Sequence, residues 1–183
     1  QDKLRSQNVS RIKDLRALLP RYMVENTVKN INNAEKLYYH GLNNSYLTAV
    51  ATNEVAKADQ ILRGQALTFV HWDEPAFCAN ADLTYPTLIA SGSEAMDQAF
   101  ANGLPCGFIL TTTAGDPNTR PGKWAMTIVQ EAVNYSERFF DLKDRDTLVQ
   151  LVNDNSENGF VNGTFSHLQL GKTNKWLMER IQG

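Results

Sequence analysis

Leu67-Thr68-Phe69-Val70-His71-Trp72-Asp73-Glu74 is a largely apolar run that ends in two adjacent carboxylates. Further along the chain, a second apolar run ends in three hydroxyls, as Phe108-Ile109-Leu110-Thr111-Thr112-Thr113. Near-continuous apolar strands are typical of parallel sheets that are covered on both faces. Ligands bind beyond the carboxyl ends of such strands. The sequence therefore predicts a polar site where these two runs end side by side.

The size and charge of the chain limit the classes of protein it can belong to. Its 183 residues carry a net charge of −2 at pH 7, with a sequence pI of about 5.9. This length is enough for one domain with a real core and a small appendage. The chain lacks the overall excess of basic residues that would indicate nucleic-acid binding, although local basic patches remain compatible with such binding. No apolar run approaches the length of a membrane span, and the N-terminal residues lack the apolar core of a signal peptide.

The two cysteines, Cys78 and Cys106, are far apart in sequence and form no C-x-x-C pattern. This usage predicts two free thiols in a reducing cytosol. A disulfide between them is the alternative.

The alternation of helical and strand-like segments favours an α/β fold. Apolar residues lie at helical spacing over residues 1–19, and Pro20 ends that pattern. Residues 36–40 and 45–51 are strand-like on either side of turn residues, which predicts a β-hairpin or two adjacent strands. Beyond them we predict a loop over residues 75–85 and helices over residues 86–102, 123–138, 147–152 and 173–181.

The carboxylate pair is suited to a division of labour, because consecutive side chains at a strand end point in different directions. Asp73 would hold a hydrated Mg²⁺, and Glu74 would orient or deprotonate an attacking water. The alternative is an acidic pair that merely opens a loop. The hydroxyls of Thr111, Thr112 and Thr113 would sense a terminal phosphate, or these β-branched residues are simply good strand formers. The order strand–carboxylates, helix, strand–hydroxyls is more specific than either motif alone.

Together, Phe69-Val70-His71-Trp72-Asp73-Glu74-Pro75-Ala76-Phe77 and the later threonine triplet resemble the ATPase domain of large terminase subunits, the DNA-packaging motors of tailed phages. The resemblance covers residues 6–132 and includes Arg63-Gly64 ahead of the acidic strand. It implies an α/β fold with a mostly parallel sheet of the P-loop NTPase (ASCE) type, flanked by helices and incomplete at its N-terminal phosphate-loop strand. Residues 1–135 would belong to the ATPase domain, and residues 136–183 would form a C-terminal helical or linker subdomain.

The resemblance also implies a role for each motif residue. Asp73 resembles the Walker B aspartate, which acts through Mg²⁺, and Glu74 resembles the catalytic glutamate, which polarises water. Thr111 to Thr113 resemble the coupling motif, which links ATP hydrolysis to movement of the DNA-gripping parts. Arg63 lies where some members carry an arginine that reaches a neighbouring subunit's ATP and neutralises charge on the transferring phosphoryl group. The alternative for Arg63 is a loop arginine that caps or pairs locally.

The implied cofactors are ATP and Mg²⁺. The implied partners are double-stranded DNA, a portal protein, a small terminase subunit and further copies of the chain in a ring, with no membrane. The implied location is the cytoplasm of the phage host.

The sequence departs from the family in having no G-x-x-x-x-G-K-[ST] phosphate loop. Gly171-Lys172-Thr173 ends like one, but it follows the acidic strand and is predicted to be a turn. The family's nuclease domain also has no counterpart. We therefore interpret the chain as a piece of a terminase that is inactive in isolation.

Three further readings stay open. The first is a non-catalytic, degenerate ATPase-like interaction domain. The second is a helicase or other strand-translocating ATPase of the same broad class. The third is a metal site formed by His71 and Asp73, which are two residues apart, although the sequence suggests no third ligand.

Overall fold

The computed structural model describes residues 2–24, 29–33, 36–40, 44–47, 49 and 52–182. The chain divides into two compact units, Gln1–Thr113 and Ala114–Gly183. The boundary between the units follows the threonine triplet directly, whereas the family resemblance puts the end of an ATPase domain at residue 135. That domain end stays a prediction. Within the described ranges, no helix is both long and apolar enough to cross a membrane.

The first unit opens with a helix and a small antiparallel sheet. Helix α1 spans Asp2–Ala17 and ends just before Pro20, as the helical spacing predicts. The sheet has the order β1-β2-β3, and its strands are β1 (Ile31–Asn32), β2 (Lys36–Tyr39) and β3 (Asn44–Leu47). The predicted pairing of β2 with β3 is confirmed. The turn predicted between them covers residues 41–44. Residues 41–43 lie outside the described residues, and Asn44 is the first residue of β3.

The rest of the first unit is a strand–helix–strand motif. Strand β4 (Phe69–Asp73) leads into helix α3 (Ala81–Ala101), and β5 (Gly107–Thr111) returns to pair in parallel with β4. A short helix, α2 (Val55–Ala58), precedes this motif. A helical crossover is the usual connection between parallel strands. The protein is therefore an α/β protein with small parallel and antiparallel sheets.

Among the residues that the structure describes, the parallel pair has one buried face and one exposed face, so the prediction of burial on both faces is wrong. Val70 and Trp72 are 8% and 9% exposed, whereas Phe69 and Ile109 are 48% and 47% exposed. Helix α3 packs on the buried face, where the Tyr85 ring meets the Phe108 ring edge-on at 6.4 Å. In the described part of the chain, no element covers the opposite face in this way. We call this face, which carries Phe69, His71, Asp73, Ile109 and Thr111, the open face.

Helix α3 begins earlier than predicted, because Pro86 lies inside it rather than at its start. Its first turn is closed before the proline, by hydrogen bonds from the Leu83 and Thr84 amides to the Asn80 carbonyl. The Thr84 hydroxyl then donates to the Ala58 carbonyl at 3.2 Å, which ties α3 to α2. Because α3 begins at Ala81, the predicted loop over residues 75–85 is wrong for residues 81–85.

The second unit combines helices with a short parallel ladder. The predicted helix over residues 123–138 is shifted, because Thr119 caps a start at Arg120 and the chain enters a strand at Val133. The predicted helices near residues 147–152 and 173–181 are confirmed. The elements are α4 (Arg120–Glu131), β6 (Val133–Asn134), α5 (Arg145–Asn155), β7 (Val161–Asn162) and α6 (Asn174–Gln182).

The N-terminus of α5 supplies a pH-dependent contribution to stability. The Asp144 carboxylate accepts hydrogen bonds from the Thr147 hydroxyl at 2.7 Å and the Thr147 amide at 2.9 Å. These bonds hold the pKa of Asp144 below its usual value, with the hydroxyl as the larger cause. A carboxyl whose pKa is depressed by folding stabilises the protein above its unfolded-state pKa. The contribution is lost as the pH falls through the folded-state pKa.

We expect Asp144→Asn, which keeps an oxygen acceptor but loses the charge, to lower the thermal midpoint of unfolding at neutral pH. The difference from wild type should shrink as the solution is acidified. Circular dichroism melts at a series of pH values measure this difference. Asp154→Asn is the matched control, since Asp154 is an exposed carboxylate of the same helix. A difference that does not change with pH would contradict the assignment.

Candidate functional site

The register of β4 against β5 brings the two sequence motifs together. Asp73 is the register partner of Thr111, so the carboxylate pair and the threonine triplet lie side by side where the strands end. The Glu74 amide extends the ladder by donating to the Thr111 carbonyl at 2.6 Å. The structure thus brings together five of the six residues singled out from the sequence, at the edge of the sheet where ligands bind in α/β proteins.

Asp73 lies on the open face of the sheet, in a row of polar side chains. The Thr111 hydroxyl donates to Asp73 Oδ1 at 2.7 Å. The same hydroxyl oxygen lies 2.9 Å from Nε2 of His71, whose side chain is on the same face. Asp73 is exposed to solvent, and its second oxygen, Oδ2, has no hydrogen-bond partner among the described residues.

Glu74 is held by the two threonines that follow β5. Its Oε2 accepts from the Thr112 hydroxyl at 3.1 Å, the Thr113 amide at 3.1 Å and the Thr113 hydroxyl at 3.3 Å. Its Oε1 has no hydrogen-bond partner within the described ranges. One oxygen is therefore fixed by the triplet, while the other is left to accept a hydrogen bond from a ligand or a water.

The backbone at Glu74 is in the left-handed region, with φ 54° and ψ 45°. This conformation costs a residue with a side chain on the order of 1 kcal/mol or more. It turns the chain sharply out of β4 into a short 3-10 helix, Pro75–Phe77, whose Pro75 and Ala76 are buried. The buried Pro75 and the bonds from the triplet offset the cost. Strain of this kind concentrates at functional sites.

The donor set at the strand ends suits a hydrated Mg²⁺ better than a protein-caged metal. Mg²⁺ keeps several waters and is bound through one or two carboxylates together with substrate phosphates. The free oxygen of Asp73 fits that role. In the described part of the chain, no group of three or more His, Cys, Asp or Glu side chains could hold a metal ion. The alternative metal site of His71 and Asp73 therefore gains no third ligand of these types.

Arg63 lies in the loop after α2, not at the strand ends that carry the two carboxylates. Its exposed side chain helps to line a cavity of about 490 Å³ between the loop after α2 and the first half of α3. The loop reverses direction there through Leu62 and Gly64, which both have positive φ values. The cavity is lined by Asp59, Arg63, Gly64, Gln65, Pro86, Thr87, Ala90 and Ser91.

The Gly171-Lys172-Thr173 segment is a turn, as predicted. The Lys172 amide donates to the His167 carbonyl at 2.8 Å, and Gly171 has a positive φ of 70°. The Thr173 hydroxyl accepts from the Trp176 amide at 3.1 Å and caps α6. These contacts are those of a capped helix start, not of a loop wrapped around a phosphate.

Cys78 lies against the backbone of Glu74, to whose carbonyl its thiol donates at 3.5 Å. Both cysteines are free thiols, as predicted. Burial raises the pKa of the Cys78 thiol. A hydrogen bond with the Trp72 side chain lowers this pKa, and the negative charge of Glu74 raises it.

The sequence links His71 to Asp73 only as an alternative metal site and does not predict the contact of His71 with Thr111. The only available signal was its spacing of two residues from Asp73, which puts both side chains on one face of a strand. Its contact with Thr111 depends on the register between β4 and β5, which sequence reasoning did not supply.

Comparisons of this chain with protein-family models, with curated proteins and with solved structures find no match.

The negative charge of Glu74 contributes to the raised pKa of the Cys78 thiol, so the reactivity of this thiol tests that contact. A raised pKa leaves less thiolate at a given pH, so we expect iodoacetamide to alkylate Cys78 more slowly in the folded chain than in urea. Glu74→Gln removes a charge that raises this pKa and should speed the reaction. Cys106→Ser in every sample leaves one thiol to follow by mass spectrometry. Equal rates in the folded and unfolded chain at neutral pH would contradict the assignment.

Proposed function

We propose that this chain is part of an ATP-hydrolysing DNA-packaging motor of the large-terminase type. In this proposal the parallel pair β4–β5 belongs to a larger, mostly parallel sheet of the P-loop NTPase type. The observation that carries the proposal is the hydrogen-bonded contact of both carboxylates with the threonine triplet at the strand ends. The motor would move double-stranded DNA into a procapsid, with a portal protein, a small terminase subunit and other copies of the chain as partners.

The two carboxylates support distinct chemical roles in this proposal. Asp73, whose Oδ1 is occupied by the Thr111 hydroxyl, would hold a hydrated Mg²⁺ through Oδ2. The ion, when bound, would neutralise charge on the phosphates of ATP. Glu74, whose Oε2 is fixed by the triplet, would use Oε1 to orient the attacking water and draw off its proton.

The threonine triplet offers a direct link between hydrolysis and movement. Thr112 and Thr113 contact Glu74 and begin the segment that leaves the sheet. A change in the charge or position of Glu74 during turnover would alter these hydrogen bonds and therefore the start of that segment. This is the coupling role that the family resemblance gives to the triplet.

Arg63 is proposed to act on the ATP of a neighbouring subunit rather than on its own strand ends. Its exposed side chain has no partner of opposite charge among the described residues. Such an arginine would neutralise charge on the transferring phosphoryl group, a role worth a large factor in rate where it occurs.

A second candidate function is a non-catalytic, ATPase-like interaction domain. Two observations favour it: the absence of a phosphate-loop motif from the sequence, and the exposed Phe69 and Ile109 on the open face. This candidate predicts partner binding that does not respond to changes at Glu74. It also predicts no ATP binding even in a form of the protein that carries a phosphate-binding loop.

The experiment that tests the proposal is Mg·ATP binding and hydrolysis, by this chain and by a form extended upstream to a phosphate-binding loop. We expect binding and turnover only in the extended form. Glu74→Gln in that form should reduce kcat by about 10²- to 10⁴-fold, because it removes a general base, and should leave ATP binding intact. Isothermal titration and a phosphate-release assay measure the two quantities.

Glu94→Gln is the matched control, since Glu94 is an exposed glutamate on α3. Turnover that survives Glu74→Gln would overturn the role of Glu74. An extended form that binds no ATP would favour the interaction domain.

A further inference from the structure

The row of side chains on the open face has a defined direction of proton donation. It runs from His71 through Thr111 to Asp73, with Nε2–Oγ1 and Oγ1–Oδ1 distances of 2.9 Å and 2.7 Å. All three residues belong to paired strands, and their side chains share one face because of the register. The row is therefore built on the sheet rather than on a loop.

The direction follows from counting protons. An ionised aspartate can only accept hydrogen bonds, and a threonine hydroxyl has one proton to donate. An oxygen–oxygen distance of 2.7 Å between them requires that proton to lie between the two oxygens. The Thr111 oxygen can then only accept from His71. Nε2 of His71 must carry a proton, and a neutral His71 has its lone pair on Nδ1.

We propose that His71 is a positioning residue of the carboxylate site. Its Nε2–H donates to Thr111, which directs the single proton of that hydroxyl onto Oδ1 of Asp73. Hydrogen bonds in such a chain polarise one another, so the Thr111–Asp73 bond is strengthened by the histidine. Oδ1 is thereby kept occupied, and Oδ2 is the oxygen presented to solvent. The presentation of Oδ2 to a hydrated Mg²⁺ rests on the proposed function, whereas the direction of the row does not.

The surroundings of His71 are consistent with a role in orientation rather than in packing. His71 is exposed, its register partner is Ile109, and Phe69 precedes it on the same face. A histidine whose only task was to fill space would not need a hydroxyl at hydrogen-bonding distance from Nε2. The site thus gains His71, which contacts Thr111 and acts on Asp73 through it.

The first test reads the tautomer of His71 directly, in this chain, without nucleotide. Long-range ¹H–¹⁵N spectra at alkaline pH, where imidazole is neutral, give the ratio of Nε2–H to Nδ1–H for each histidine. We expect the Nδ1–H form of His71 to be at least about threefold rarer in the folded chain than in urea. His71→Gln identifies the signal. A folded-state ratio equal to that in urea, or a majority of Nδ1–H, overturns the proposal without any further variant.

Variants of Thr111 test the path through the hydroxyl. Thr111→Val removes the acceptor and should return the tautomer ratio of His71 to its value in urea. Thr111→Ser keeps a hydroxyl and should keep the folded ratio. If Thr111→Val is folded and leaves the ratio unchanged, the hydroxyl is not the partner of His71 and the proposal fails.

The second test asks what the row does during turnover, in the form that hydrolyses ATP. We expect His71→Leu to lower kcat at saturating Mg·ATP by about three- to tenfold with little change in KM. His71→Gln should restore most of the rate, because its amide nitrogen has a reach similar to that of Nε2. A His71→Gln protein as slow as His71→Leu would overturn the positioning role.

The first test can fail independently of the proposed function, because it needs neither nucleotide nor turnover. If the tautomer ratio is as expected but no form of the protein hydrolyses ATP, the role of His71 is supported and the proposed motor function is wrong. If ATP is hydrolysed and Glu74→Gln abolishes the hydrolysis, but the tautomer ratio matches that in urea, the motor function is supported and the proposed role of His71 is wrong.

Discussion

The parallel register of β4 against β5 is the constraint on which the candidate site depends. Because Asp73 pairs with Thr111, one hydroxyl of the triplet meets the first carboxylate and the next two meet the second. A shift of the register by one residue would turn Thr111 to the opposite face of the sheet and separate it from Asp73. The row from His71 to Asp73 and the fixed oxygen of Glu74 both exist only in this register.

The sharp turn at Glu74 has an unfavourable backbone conformation that the hydrogen bonds of the site stabilise. A left-handed glutamate followed by a proline is an unfavourable pair in isolation. It persists because the Glu74 amide is bound to the Thr111 carbonyl and the side chain to Thr112 and Thr113. The same bonds that orient the carboxylate therefore also stabilise the turn, so the geometry of the turn and that of the carboxylate cannot change separately.

The sequence predicted the elements of this fold better than it predicted their surroundings. Strands β4 and β5 were predictable because continuous apolar runs ended in distinctive polar groups. The start of α3 was not, since Pro86 is usually read as a helix start and the hydrogen bonds to the Asn80 carbonyl cannot be seen in a sequence. The open face was missed because Phe69 and Ile109 are apolar whether or not another element covers them. The contact of His71 with Thr111 was missed because the two residues are 40 positions apart in the sequence and meet only through the strand register.

The crossover through α3 also governs when the site can form as the chain folds. Asp73 and Thr111 are 38 residues apart, and they meet only after the helix between them has packed and both strands have aligned. Contacts of such sequence separation are slow to form, because the entropy of closing the loop is lost before the contacts stabilise the chain. A partly folded chain can contain α3 and yet have no carboxylate site, and the site should therefore appear late, together with the buried face of the sheet.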